Sequence, residues 1–316
     1  MDDVNFIYDL GEDSVIPTKE EIDHPGFKDC FYKDFYKIYL PDIETLPNIN
    51  LNPSNKNITD LVTFAVHNPD IVYHHCRLIK KYIKSPYHHT VVINVHKDSH
   101  EMMKICKEFG CTCIELPNYP KGINSNYVQG FLFNYIYEEY LKRRQCKYFG
   151  FLDFDIFYYK DFDVVEALNG RDCCGRAHGS GHYEDWFLWG GYSFFELDKF
   201  QYLDYTAKNY WETLPGPYYE AGGRNHYLYF YNRNWKDYEL VKDIGVIKIL
   251  KDIPDVNYND FLNCKCNDDP QILWRASNIE DYRYCYHFVN GSNWQNNEHF
   301  DRKWDTFKND VLENVQ

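Results

Sequence analysis

No stretch of the chain approaches the roughly 18 consecutive apolar residues of a membrane-spanning helix. The first residues, MDDVNFIYDLGEDS, are acidic where a secretory signal would be basic. The expectation is a soluble, cytoplasmic protein. Positive charge is also scarce: 34 Lys and Arg stand against 48 Asp and Glu, a net charge of −14. That sign disfavours nucleic acid as a partner, because such proteins hold their ligand by neutralising phosphates. A phosphate-bearing small ligand would need a metal ion or a local basic pocket. Paired C-x2-C knuckles are missing as well. The eleven cysteines are scattered, with Cys111/Cys113, Cys173/Cys174 and Cys264/Cys266 as near neighbours. Finger-type structural zinc is therefore not expected, and reduced, mostly buried thiols are.

Aromatic side chains, by contrast, are plentiful: 19% of residues, including 30 Tyr and 7 Trp. They suit either an aromatic core or surfaces on which sugars stack. At 316 residues the chain can bury a full core. Residues 1–60 read as an extension, since LPDIETLPNINLNPSNKNITD is rich in Pro and Asn and has neither helical nor alternating periodicity. From residue 61 to 316 the texture is that of one α/β domain. LVTFAV (61–66) reads as a buried strand, and IVYHHCRLIKKYIK as a helix with an apolar face of Ile71, Val72, Cys76, Ile79 and Ile83. HTVVINVH (89–96) is a second strand, SHEMMKICKEFG a helix capped by Ser99 and stopped by Gly110, and CTCIEL a third strand. Strands alternating with helices at this spacing predict parallel pairing through crossovers.

A helix over 124–144 then leads into KYFGFLDFDIFYYKDF, residues 147–162. Phe149, Phe151, Leu152, Phe154, Ile156 and Phe157 predict a buried strand, yet Asp153 and Asp155 sit inside it. An unpaired carboxylate there would cost several kcal/mol. On a strand the two acids share one side, and ligands of doubly wound sheets sit beyond the strands' carboxyl ends. A divalent cation would remove the cost of keeping both acids.

Asp153-Phe154-Asp155 after a hydrophobic strand resembles the Asp-x-Asp motif of A-type glycosyltransferases, and YCYHFVNGSNW (284–294) is similar to the His-x-x-Gly-x-x-Lys-Pro-Trp segment of family-8 members. Gly291 falls one place later here, and Asn293 precedes Trp294 where the family has Lys-Pro. The resemblance implies the A-type, Rossmann-like fold: a mostly parallel sheet flanked by helices. It implies Mn2+ or Mg2+ held by Asp153, Asp155 and His287 against the diphosphate of a nucleotide-sugar donor, with a glycan or other hydroxyl acceptor. Phe154, Gly291, Asn293 and Trp294 would lie against the donor. By their position in the sheet, His67, Asn68 and Asp70 after the first strand, and Asn126 and Gln129 on the helix before the metal strand, are further donor contacts.

The acceptor side is expected in WFLWGGYSFFELDKF (186–200), read as strand, glycine pair and strand, then a helix starting near Asp198. Gly190 and Gly191, beside Trp189, would let a ligand approach the backbone. In YYEAGGRNHYLYF, Glu220 reads as the acid at a helix start, similar to the general base of inverting enzymes. Asp185 is its rival, and Arg224 would assist a phosphate or pair with Glu220. Two other classes use related features. A haloacid-dehalogenase-like phosphatase has an Asp-x-Asp after a strand, and a non-catalytic carbohydrate-binding protein would use the aromatics.

Overall fold

The computed structural model describes residues 37, 40–47, 49–94, 97–117, 125–179, 186–200, 203–205, 208–209, 219–222, 225, 239–240, 245–249, 278–288 and 298–315. The chain enters its sheet with β1 (Thr59–Ala65), every residue of which is buried. Such an apolar, β-branched run suits a strand covered on both faces. Helix α1 (Pro69–Tyr82) follows at once: the Asn68 side chain accepts from the Ile71 amide, and Pro69 takes the first helical position. Ile71, Val72, Cys76 and Ile79 then recur on its buried face. After β2 (Tyr87–Asn94) comes α2 (Ser99–Glu108), with Gly110 at φ +78° just past its end. Ser99 is the first helical residue and not the cap; that position falls to Asp98, and the Ser99 hydroxyl donates to the Asn94 carbonyl. Next come β3 (Thr112–Leu116) and α3 (Ser125–Tyr135), which continues through a π-helical stretch, Ile136–Leu141, into a last turn at Lys142–Arg144.

The expected single strand over the Asp-x-Asp stretch is two. β4 (Tyr148–Asp153) ends on the first aspartate, Phe154 and Asp155 form a turn, and β5 (Ile156–Tyr158) joins another sheet. Strand alternation therefore does not relate the two acids. Helix α4 (Val164–Leu168), β6 (Cys173–Gly179) and β7 (Trp186–Glu196) follow. β7 runs unbroken through Gly190 and Gly191 into a short 3-10 turn, Leu197–Lys199, where a helix was expected. Beyond it lie β8 (Lys208–Asn209), β9 (Tyr219–Glu220), β10 (Glu239–Leu240), β11 (Gly245–Ile249), β12 (Asn278–Asp281), β13 (Cys285–His287) and α5 (Glu298–Phe307), the last extended by Lys308–Leu312.

The larger sheet has the order β10-β6-β7-β4-β1-β2-β3. β1 pairs in parallel with both β2 and β4, and β2 with β3, while β7 runs antiparallel to β4 and β6. This is the mostly parallel, helix-flanked α/β architecture expected. Two apolar clusters cover its faces. One gathers Phe64, Phe133, Phe149, Phe151 and Tyr205 beneath α3, with rings such as Phe64 and Phe133 only 4.3 Å apart. The other joins α1, α2 and α5 to the opposite face. Many of the aromatics thus build core. Part of the N-terminal extension is tied to the body: Leu40 and Ile43 are buried in the first cluster. Arg144 donates to both Asp60 oxygens, at 2.9 and 3.0 Å, and to the Asn50 carbonyl.

A second, antiparallel sheet, β11-β12-β13-β5, returns the C-terminal part of the chain to the end of β4. α5 closes over it, packing Trp304 and Phe307 on Phe157 and Phe288. No helix among the described residues is long and apolar enough to cross a membrane.

Candidate metal and donor site

From β1 the strand order runs outward through β2 to β3, and the chain then returns to place β4 on the other side of β1. The crevice beyond the carboxyl ends of β1 and β4 is therefore the topological switch point, where open α/β sheets receive ligands. Asp153 closes β4 opposite Phe64 of β1. Asp153 is 6% exposed and Asp155 1%. The Phe288 amide donates to the Asp155 carbonyl at 2.9 Å, and His287 pairs with Ile156 in the β13–β5 ladder. A histidine 132 positions later in the chain is thereby laid beside the second aspartate, with Nε2 3.7 Å from Asp155 Oδ1.

The other ring nitrogen of His287 is held from behind. Nδ1 lies 2.9 Å from Glu280 Oε2 and 2.9 Å from the Tyr282 hydroxyl, while Arg176 donates to Glu280 Oε1 at 2.9 Å. Glu280 faces His287 directly across β12 and β13. Burial works against ionising Glu280, but the hydrogen bond from His287 and the Arg176 guanidinium outweigh it and hold the carboxyl down to about 2. Burial lowers His287, so its ring is neutral near pH 7. With Nδ1–H donated to a carboxylate, Nε2 presents a lone pair toward Asp155. A lone pair opposite a buried carboxylate is repulsive unless a cation or a proton lies between them. A carboxylate behind the far nitrogen is also the arrangement that orients metal-bound imidazoles.

Lys303 of α5 completes the polar centre. It is 2% exposed, and burial draws its ammonium down to about 7 against the pull of Asp155 and Glu280. Its Nζ lies 4.1 Å from the Phe288 ring centroid. Gln129 donates to Asp153 at 3.4 Å, and the Trp189 ring lies 4.7 Å from that of His287. The glycine pair serves this aromatic packing. A Cβ on Gly191 would meet the Trp189 indole at 2.3 Å, and one on Gly190 would meet the Phe133 ring at 2.8 Å. The indole folds back over Gly191, so its backbone is covered by protein.

Among the other sequence candidates, His67 lies edge-on to Phe154, 6.0 Å between centroids, at the mouth of β1. Asn68 is occupied as the α1 cap. Asp70 ties α1 to the C-terminal segment, accepting from Trp304 Nε1 and Lys308 Nζ at 2.9 Å each. Asn126 is in α3. Glu220 ends the two-residue strand β9 and precedes a turn in which Gly222 has φ +93°, so it does not start a helix. Asp185, Arg224, Gly291, Asn293 and Trp294 lie outside the described residues.

Glu280, Arg176, Tyr282 and Lys303 were not anticipated. Lys303 left a trace in the sequence: it occupies the apolar stripe of α5, beside Trp304 and one turn before Phe307. Among the described residues, the one trio of potential ligands whose donor atoms all lie within 4.8 Å of one another is a different one, Cys76, His89 and Cys111. Asp153, Asp155 and His287 form a more open set. No family model matches the chain, and no curated protein matches it.

Proposed function

We propose that the chain is a divalent-metal-dependent A-type glycosyltransferase that moves a sugar from a UDP- or GDP-linked donor to a hydroxyl of a glycan or other acceptor. The observation that carries this reading is the approach of His287 Nε2 to Asp155 Oδ1, 3.7 Å apart beyond the end of a central parallel strand, with Glu280 fixed behind the imidazole. Two carboxylates and a neutral imidazole fit Mn2+, and the oxygen ligands also suit Mg2+. The residues that would hold the ion are Asp153, Asp155 and His287. When bound, the ion would bridge the protein to the donor's diphosphate and stabilise the charge that develops as the diphosphate leaves.

The protein's own groups divide the remaining work. Glu280, anchored by Arg176, keeps the proton on Nδ1 and so leaves the Nε2 lone pair available to hold the ion. Lys303 supplies a cation that an arriving diphosphate would hold in its charged form, a role that Asn293 cannot fill. His67 and Phe154 flank the carboxyl end of β1, where the base or ribose would lie. If the reaction inverts configuration, one carboxylate, Glu220 or Asp185, takes the acceptor hydroxyl's proton as its oxygen attacks the anomeric carbon and the sugar–phosphate bond breaks. Cys76, Cys106, Cys111, Cys113, Cys146 and Cys285 are thiols, which suits a reducing compartment, and we place the reaction in the cytoplasm.

The test is release of UDP or GDP from a panel of nucleotide sugars, with and without Mn2+ and with the Asp155→Asn variant beside the native chain. Metal-dependent turnover that the variant lacks supports the reading. Folded protein that turns over none of the donors with any acceptor overturns it, and metal-dependent cleavage of an aryl phosphate would favour the phosphatase.

A further inference from the structure

We infer that Cys76, His89 and Cys111 form a second metal site, separate from the aspartate cluster, that takes a zinc ion. The three come from different elements: Cys76 from α1, His89 from β2 and Cys111 from the residue before β3. Their ligand atoms all lie within 4.8 Å of one another. Cys111 Sγ is 3.2 Å from His89 Nδ1. In a tetrahedral zinc site, with Zn–S about 2.3 Å and Zn–N about 2.0 Å, a sulfur and a nitrogen stand about 3.5 Å apart, so the Cys111–His89 pair need open by only about 0.3 Å to admit the ion. The ligand set is two sulfurs and one imidazole. That chemistry selects zinc over Mg2+ or Mn2+.

The hydrogen bonds around His89 leave the needed lone pair in place. The Ile156 carbonyl can only accept, so His75 donates Nδ1–H to it at 2.7 Å and is left with a bare Nε2. The Thr63 hydroxyl lies 2.9 Å from His75 Nε2 and 2.9 Å from His89 Nε2. It donates to the first and so accepts from the second. His89 therefore carries its proton on Nε2, and Nδ1 presents a lone pair to the two sulfurs. This is the orienting contact that metal-bound histidines receive from their surroundings. The fourth position of the tetrahedron would fall to water or to a neighbouring thiol drawn in, Cys106 being in contact with Cys76 but outside the trio. His89 and Cys76 are buried, at 5% and 1% exposure, as a structural site requires. The ion would clamp α1 to the β2–β3 edge. Through Thr63 and His75, that clamp reaches Ile156, the residue after Asp155.

Cobalt substitution tests the inference, because thiolate-to-cobalt charge transfer is seen only where sulfur binds and the aspartate cluster has none. The reduced full-length chain, freed of metal and titrated with Co2+, is expected to develop charge-transfer and tetrahedral ligand-field bands that saturate near one equivalent. Zinc should abolish them. Cys111→Ser and His89→Gln should each lose or strongly weaken the bands, while Cys174→Ser, outside the cluster, keeps them. Should the ligand variants fail to fold, mass spectrometry of the intact native chain decides. A zinc adduct that a strong chelator removes, exposing newly reactive thiols, supports the site. Absence of sulfur charge transfer in folded reduced protein, bands that persist in Cys111→Ser, or a stable Cys76–Cys111 disulfide in place of the adduct overturns it.

Discussion

Replacing Glu280 by Gln probes the aspartate cluster without touching a proposed ligand. The amide keeps the carboxylate's shape and can still accept from His287 Nδ1–H, now 2.9 Å away, but it removes the charge that Arg176 and His287 share. The imidazole becomes a weaker base and its orientation less strictly held. Losses of this kind behind a metal-bound histidine typically cost 10- to 100-fold in metal affinity, or about 1.4–2.7 kcal/mol. The Arg176 guanidinium, largely buried, also loses its ionic partner, so the variant should melt several degrees lower. Isothermal titration with Mn2+ gives the affinity, and circular dichroism gives the fold and melting point. Turnover should be recovered by raising Mn2+, since the metal site is weakened but not removed. A variant that melts lower yet binds Mn2+ as tightly as the native chain would refute the reasoning, because Glu280 would then act only as a structural partner of Arg176.

Three further outcomes follow from the same packing and charges. Lys303→Met keeps the α5 stripe apolar and removes a buried ammonium held down to about 7. It should leave thermal stability equal or higher while weakening UDP or GDP binding about tenfold or more, measured by titration in the presence of Mn2+; unchanged affinity would remove Lys303 from the site. His75 is wholly buried, and burial lowers it to about 3 from its ordinary 6.5, so the unfolded chain takes up a proton that the folded chain refuses. Its stabilising share is complete above pH 6.5 and is lost as pH falls toward 3, at about 1.4 kcal/mol per unit. Urea unfolding at pH 7, 6 and 5 should therefore show a shallower decline for His75→Gln than for the native chain, and equal slopes would contradict the buried neutral ring. Gly191→Ala sets a methyl 2.3 Å from the Trp189 indole, so the ring must shift, at about 1–3 kcal/mol by chemical denaturation; a variant of native stability would show that the ring moves freely.

Much of the first half of the fold was legible because hydrophobic periodicity there is strong. LVTFAV, the α1 stripe, HTVVINVH and CTCIEL all fall within a few residues of β1, α1, β2 and β3. The break after Asp153 was hidden, since an unbroken apolar run looks the same whether the chain continues straight or turns into a second sheet. Trp189, Gly190 and Gly191 illustrate a different limit: the glycines relieve ring contacts whose partners depend on tertiary packing. The placement of His287 rests on the pairing of β13 with β5, and that of Glu280 on β12 facing β13, neither of which has a local signature. The Cys76–His89–Cys111 trio escaped for the same reason, because its ligands are gathered from three elements and share no motif spacing.

The account depends most on a dication joining the buried acids to a diphosphate. Binding of UDP and GDP by calorimetry, in chelator and in Mn2+, to the native chain and to Asp155→Ala, addresses this directly. The prediction is affinity that rises about tenfold or more with Mn2+ for at least one nucleotide and does not rise in the variant. Equal affinity with and without the metal, or a metal response that survives Asp155→Ala, would contradict it.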